Sequence, residues 1–414
     1  MAVRGDGLGS RPFTLPSAMS TDEQLRLLLR HADRVVPHDD LEAKLEEGRP
    51  LRVKLGLDPT APSVTLGWAV VLRKLRHFQE LGHIAVLIVG DFTARVGDPS
   101  ERAETRKRLT ADEVNGYAEN VLGQFRKVLL PENLEIRRNS EWLASLDMAG
   151  ILELTSAATV AQMLERSDFA NRYREGTPIS IMEFLYPLLQ GYDSVAVSAD
   201  IELGGSDQLW NLMMGRVVQE RYGMQPQVAL TMPILVGVDG TRRMGQSLGN
   251  YIGVDEAPDE MFGKTMSIPD DAMPQWLRLA ADLEPEEVAR IEAGLASGDL
   301  HPGETKRRLA RAVTALYWGD AEANAAEQAF DQVFKLRGIP DDIEAFPLPE
   351  EDPVTVPGLI RDAFGLSGSE ARRLLTQGAV KVDGEALGAQ EVPRVDLVGR
   401  VLQVGKRRFV RLVG

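Results

Sequence analysis

Three polar, glycine-bearing segments carry the residue types that ligand chemistry needs. They are Leu57-Asp58-Pro59-Thr60-Ala61-Pro62-Ser63-Val64-Thr65-Leu66-Gly67-Trp68, Gly90-Asp91-Phe92-Thr93-Ala94-Arg95-Val96-Gly97-Asp98-Pro99-Ser100, and Asp239-Gly240-Thr241-Arg242-Arg243-Met244-Gly245-Gln246-Ser247-Leu248-Gly249-Asn250. Each follows an apolar run, and two contain carboxylates next to hydroxyls while the third is cationic. A fourth group, Tyr186, Gln190 and Asp193, is spaced by four and then three residues, which places all three side chains on one helix face toward one cavity. An aspartate buried there must find a donor.

The elements that would position these loops are legible in the periodicity. Leu51–Leu57 reads as a buried strand, Leu66–Leu81 as a helix stopped by Gly82, and Ile84–Val89 as a continuous apolar run of the kind found in parallel sheets. Strand, helix, strand in so short a span is a βαβ unit. Further strands are expected at 134–138 and 228–236, and helices at 21–32, 111–128, 158–165, 179–189 and 208–221. The alternation predicts an α/β domain with a doubly wound parallel sheet, whose ligands bind beyond the carboxyl ends of the strands. The three loops occupy such places.

Composition narrows the rest. The 414 residues are 43% hydrophobic and 26% charged, which fits two or three globular cores and excludes a fibrous or wholly disordered chain. There is no cysteine, so disulfides, thiolate zinc sites and cysteine nucleophiles are excluded and a reducing cytoplasm fits. No run approaches the length of a membrane span, and Met-Ala-Val-Arg-Gly-Asp-Gly does not read as a secretory signal, so a soluble protein is expected. The five histidines are scattered and read as structural rather than as metal ligands. Net charge is -15, yet from Arg361 onward ten Lys/Arg face six Asp/Glu, a small basic module on an acidic body suited to holding a polyanion at one end.

The segments Gly56-Leu57-Asp58-Pro59-Thr60, Gly97-Asp98-Pro99-Ser100, Glu183-Phe184-Leu185-Tyr186-Pro187-Leu188-Leu189-Gln190-Gly191-Tyr192-Asp193 and Leu203-Gly204-Gly205-Ser206-Asp207-Gln208, in this order, resemble bacterial tyrosyl-tRNA synthetases with a compact C-terminal RNA-binding module. The likeness runs from about Arg52 to Val413. It implies a Rossmann-like catalytic domain (46–255) after an N-terminal extension and helix (1–45), a helical anticodon-side domain (256–337), a linker (338–357) and a small α+β RNA-binding module (358–414). It also implies tyrosine, ATP with Mg2+ and tRNA as ligands, no tightly bound metal, and a homodimer formed through the catalytic domain near 111–154.

Carried over residue by residue, the resemblance assigns Asp98, Tyr186 and Gln190 to the substrate ammonium and Asp193 to the phenol hydroxyl, with Lys54, Asp58, Thr93 and Gln208 completing the tyrosine site. Gly56, Gly67, Trp68, Gly205, Asp207, Met244 and Gln246 fall at nucleotide positions, and Thr60, Thr65, Arg243 and Ser247 at catalytic ones. In the tail, Arg372, Arg373 and Lys381 are the implied RNA contacts. Two motifs depart from the family. Thr65-Leu66-Gly67-Trp68 stands where the family has His-x-Gly-His, and Arg243-Met244-Gly245-Gln246-Ser247 where it has Lys-Met-Ser-Lys-Ser. Both imidazoles and one lysine are gone, groups that act on charge developing at the phosphates. Trp68 is expected to intrude on the adenine or phosphate region. The expectation is weak or diverted adenylation, against the alternative that Thr60, Arg95, Arg102, Arg106 and Arg243 sustain it slowly. A paralogue that transfers an amino acid to another acceptor, or a silent tyrosine- or tRNA-binding regulator, are the competing functions.

Overall fold

The structure, a computed structural model, describes residues 19–98, 110–334, 343–405 and 408–414. Pro99, Ser100, Arg102 and Arg106 lie outside these residues. The chain divides into two compact units, one comprising residues up to Ala257 with Lys264–Tyr317, the other Pro258–Gly263 with Trp318–Gly414. The stretch 256–337, expected as a single helical domain, is therefore shared between them.

The first unit is built on a six-stranded sheet. Its strands are β1 (Arg34–Val36), β2 (Arg52–Leu57), β3 (Ile84–Val89), β4 (Leu134–Arg138), β5 (Ile201–Gly205) and β6 (Val228–Met232), in the order β1-β6-β5-β2-β3-β4. All pairs are parallel except the edge strand β1, which runs antiparallel to β6. The winding reverses between β2 and β5, and that reversal opens a crevice at their carboxyl ends. β3 reads Ile-Ala-Val-Leu-Ile-Val because both faces of an internal parallel strand are covered. β5 and β1 have no counterpart in the periodicity: Glu202 interrupts a run of five residues that ends in Gly-Gly, and β1 has only three residues.

The helices used below are α1 (Thr21–Leu29), α2 (His38–Glu46), α3 (Leu66–Glu80), α4 (Ala111–Phe125), α5 (Ile181–Ala196) and α6 (Leu209–Arg221). Thr65 caps α3 by accepting from the Trp68 amide, and Gly82 ends that region at φ +86°. α5 opens with a capping box, Ser180 with Glu183, and runs through Pro187 to Ala196, seven residues beyond the expected end. Its continuation depends on close packing against α6. A Cβ at Gly191 would lie 2.8 Å from Val218 Cγ2 and 3.3 Å from Gly215 Cα, so only glycine lets these helices approach this closely. Leu188, Leu189, Met214 and Val218 fill the contact with Leu143, Leu154 and Met163.

In the second unit, strands at Glu385–Ala386, Val380–Val382, Val401–Val404, Arg408–Val413 and Ala345–Pro347 form one sheet in that order. Val354–Thr355 pairs with Glu391–Val392, so part of the expected 338–357 linker is woven into this module. Helices Val356–Phe364 and Gly368–Thr376 bury Leu359, Ile360, Ala371 and Leu375 against Val380, Leu402 and Leu412.

Candidate active site

At the floor of the crevice, Lys54 of β2 and Glu202 of β5 are register partners and form an ion pair of 2.9 Å, their side chains 0% and 1% exposed. Lys54 Nζ also donates to Gln190 O and Ser194 Oγ, both at 2.8 Å. Those three bonds use every ammonium hydrogen of Lys54. Gln190 Nε2 donates to Glu202 Oε1 at 3.1 Å.

Above the floor the expected residues converge. Asp58 accepts from Thr93 Oγ1 at 2.7 Å and from the Tyr186 hydroxyl at 3.1 Å. A Cβ at Gly90 would lie 2.0 Å from Asp58 Oδ1, which explains the glycine at the end of β3. Two residues missed by the sequence reading join this group to Asp193. Asn139 donates to Thr93 Oγ1 at 2.9 Å and to Asp193 Oδ2 at 3.2 Å, and Trp142 Nε1 donates to Asp193 Oδ1 at 2.8 Å. Both follow β4, and the strand-end rule that singled out the other loops would have found them. Burial pushes the Asp193 carboxyl up to about 6, with Lys54, Trp142 and Asn139 opposing and Glu202 adding to the shift.

Asp98 accepts from Gln208 Nε2 at 3.0 Å and pairs with the buried Arg166 guanidinium at 3.4 Å. Arg166, also unforeseen, is held by Asp168 at 2.8 Å and by Asn211 at 3.0 Å, and Asn211 in turn donates to Gln208 Oε1. Tyr186 and Asp193 thus belong to one polar group with Asp58, Thr93, Asn139 and Trp142, Asp98 to a second with Gln208, Arg166 and Asn211, and Gln190 to the Lys54–Glu202 floor.

The nucleotide positions are arranged differently. The Gly67 amide at the start of α3 donates to Met244 Sδ at 3.2 Å, and Gln246 Nε2 donates to Ser63 O at 2.6 Å. Leu66 N donates to Ile252 O and Val254 N to Val64 O, so the loop after β6 is stitched to the loop after β2. Gly245 N bonds Asn250 Oδ1, and Asn250 also donates to Asp239 and to Arg243 O. Arg243 lies 3.9 Å from Asp207, near Gly205 at the end of β5. Thr60 is half-buried beside Asp58, Gly56 is exposed at the end of β2, and Ser247 is exposed on a short turn. Trp68 lines a small apolar hollow with Leu57, Pro59, Val89, Ala118, Val121 and Phe125. Among the described residues no three His, Asp or Glu are grouped to hold a metal.

Residues 46–335 match the family of class I tRNA synthetases (W and Y). The chain is 53% identical to a tyrosine–tRNA ligase of Moorella thermoacetica, over 94% of its own length and 95% of that protein. It belongs to the tyrosyl-tRNA synthetase family. A second relative in the family, the tyrosine–tRNA ligase of Thermotoga maritima, is 45% identical over 96% of this chain and 98% of its own. Solved tyrosyl-tRNA synthetases share the fold. That of Archaeoglobus fulgidus, complexed with L-tyrosine, matches with a TM-score of 0.61 at 24% identity, covering 74% of this chain and all of that one. The C-terminally truncated mitochondrial enzyme of Aspergillus nidulans gives 0.61 at 22% identity, covering 77% and 95%. The α/β class and the Rossmann-like sheet expected from sequence are those of the tyrosyl-tRNA synthetases. Among the described residues no helix is long and apolar enough to cross a membrane.

Proposed function

We propose that this member of the family recognises tyrosine and activates it slowly. The observation that carries the reading is Asp193, a buried carboxylate whose two oxygens are fixed by Trp142 and Asn139 at the end of the crevice. A carboxylate so placed is costly unless a ligand repays it, and a phenol hydroxyl is a fitting donor. At the other end Asp98, Tyr186 and Gln190 supply oxygen acceptors for an ammonium, and Asp207 an acceptor for ribose.

In the family reaction a tyrosine carboxylate oxygen attacks the α-phosphorus of ATP, the bond to the β-phosphate oxygen breaks, and pyrophosphate leaves. The tyrosyl group then passes to the 3′-terminal ribose of tRNA with release of AMP. Here the Gly67 amide at the start of α3 is occupied by a thioether, the Gln246 amide, which stands in place of a cation, is turned to Ser63 O, and Thr65 offers one hydroxyl hydrogen where the family has an imidazole. Each missing donor removes about 2.7–4 kcal/mol of transition-state stabilisation by analogy with oxyanion sites.

Two further parts of the reading have their own support. Met148, Leu152, Val160, Tyr173 and Ile181 are exposed large apolar side chains, 62–81% accessible, gathered on one stretch of chain, and a homodimer would cover them. Arg372 and Arg373 are exposed on the Gly368–Thr376 helix, with Lys381 on the following strand, and would meet tRNA phosphates. Calorimetry with tyrosine tests the amino-acid site. Absence of any tyrosine heat would overturn the reading.

A further inference from the structure

Lys54 and Glu202 form a closed set of bonds that reaches both ends of the amino-acid site. Glu202 accepts from Lys54, from Gln190 Nε2, from Ser194 Oγ and from Gln227 Nε2. A carboxylate only accepts, so the amide nitrogen of Gln190 must face Glu202 and its oxygen is the atom left for a ligand. At the other end Lys54 grips Ser194 Oγ and Gln190 O, on either side of Asp193 along α5. It brings a positive charge to the carboxylate that would receive the phenol.

We infer that Lys54 and Glu202 are positioning residues that give the amino-acid site its acceptor polarity at both ends, and with it a preference for tyrosine over phenylalanine. This rests on the tyrosine reading of the site. Glu202 orients the Gln190 oxygen toward the ammonium, and Lys54 keeps Asp193 ionised as an acceptor. The charged and titratable groups acting on Asp193 from the packed elements are Lys54 on β2 and Glu202 on β5, with Trp142 and Asn139 donating from the segment after β4. Among them Lys54 is the largest opposing influence on a carboxyl that burial holds at about 6.

Two variants separate the two ends. In Lys54→Met/Glu202→Gln, where both charges go together so that neither is left buried alone, calorimetry should find tyrosine preference over phenylalanine reduced by roughly tenfold or more. The acid limb of tyrosine binding should move to higher pH, because Asp193 loses its stronger opposing charge. In Glu202→Gln alone, the Gln190 amide is free to turn. Tyrosine affinity should fall while affinity for the deaminated analogue of tyrosine, which has no ammonium to lose, stays unchanged. Glu202→Gln keeps an oxygen acceptor for Lys54 but leaves its charge unneutralised, so melting curves accompany both variants and each is read at temperatures where it is folded. Unaltered tyrosine preference and acid limb in a folded double variant, or equal losses for tyrosine and its deaminated analogue in Glu202→Gln, would overturn the assignment with the tyrosine reading intact. A parent protein that binds no tyrosine would overturn both.

Discussion

Replacing Asp193 with asparagine should abolish tyrosine preference without harming the fold. At neutral pH the folded protein keeps this carboxyl ionised although burial has raised it from 3.8 to about 6, a burden of ~3 kcal/mol relative to the unfolded chain. The sign follows from a raised acid. The burden is present in full above the folded value and vanishes below the unfolded one, where both states are protonated. Asparagine removes it but offers one oxygen to two donors, Trp142 Nε1 at 2.8 Å and Asn139 Nδ2 at 3.2 Å. The donor left facing an amide nitrogen costs about 1–3 kcal/mol. Asp193→Asn should therefore match the parent or exceed it by up to ~2 kcal/mol at about pH 8, and fall below it by about 1–3 kcal/mol toward about pH 4, where the parent has lost its burden and only the unpaired donor remains. Urea melts at several pH values measure this, and calorimetry with tyrosine and phenylalanine measures the lost preference. A variant destabilised by more than ~3 kcal/mol at pH 8, in the range expected when a buried pair is broken, would refute the reasoning.

Other consequences follow from the same geometry. Restoring Thr65→His, Trp68→His, Gly245→Ser and Gln246→Lys together should raise tyrosine-dependent pyrophosphate exchange by ~100-fold or more, and less than the product of separate gains because the donors act on one charge. An unchanged rate would place the defect elsewhere. Leu152→Glu with Ile181→Glu should convert a dimer into a monomer by light scattering, and a parent already monomeric at micromolar concentration would remove the dimer. Arg372→Ala with Arg373→Ala should weaken tRNA binding and reduce the slope of its salt dependence by roughly two, leaving tyrosine affinity unaltered. A filter-binding series in which the slope stays fixed would contradict that role.

Much of the fold was readable because burial on both faces forces an apolar run such as Ile84–Val89, and because Thr65 and Gly82 bracket α3 with cap chemistry. β5 escaped notice because its central glutamate is neutralised by Lys54 across the sheet, a partner 148 residues away in sequence. The expected helix stops at Leu189 because Gly191 is a breaker by local propensity, whereas the Gly191–Gly215 contact makes glycine the residue that packing requires. At the site, the Asp58–Thr93–Tyr186 group and Asp193 were identified from motif and helix spacing. Asn139 and Trp142 carry the strand-end signal of the segment after β4, whereas Arg166 is a single hydrogen-bonding side chain that leaves no periodic trace. Lys54 is assigned to the tyrosine site by the resemblance alone. Only the coordinates of Glu202, Ser194 and Gln190 reveal that its three hydrogens are already spent. The bulk and single indole N–H of Trp68 are legible in the sequence, while the apolar hollow it lines is shared with residues as distant as Phe125.

The central claim is an amino-acid site kept for tyrosine beside a phosphate site stripped of donors. It is tested most directly by exchange of labelled pyrophosphate into ATP, with and without tyrosine, run beside the Moorella thermoacetica ligase under one set of conditions. The account predicts calorimetric tyrosine binding together with an exchange rate at least ~100-fold below that relative. Exchange at the relative's rate would contradict it and would make Arg243 and its neighbours a sufficient phosphate site.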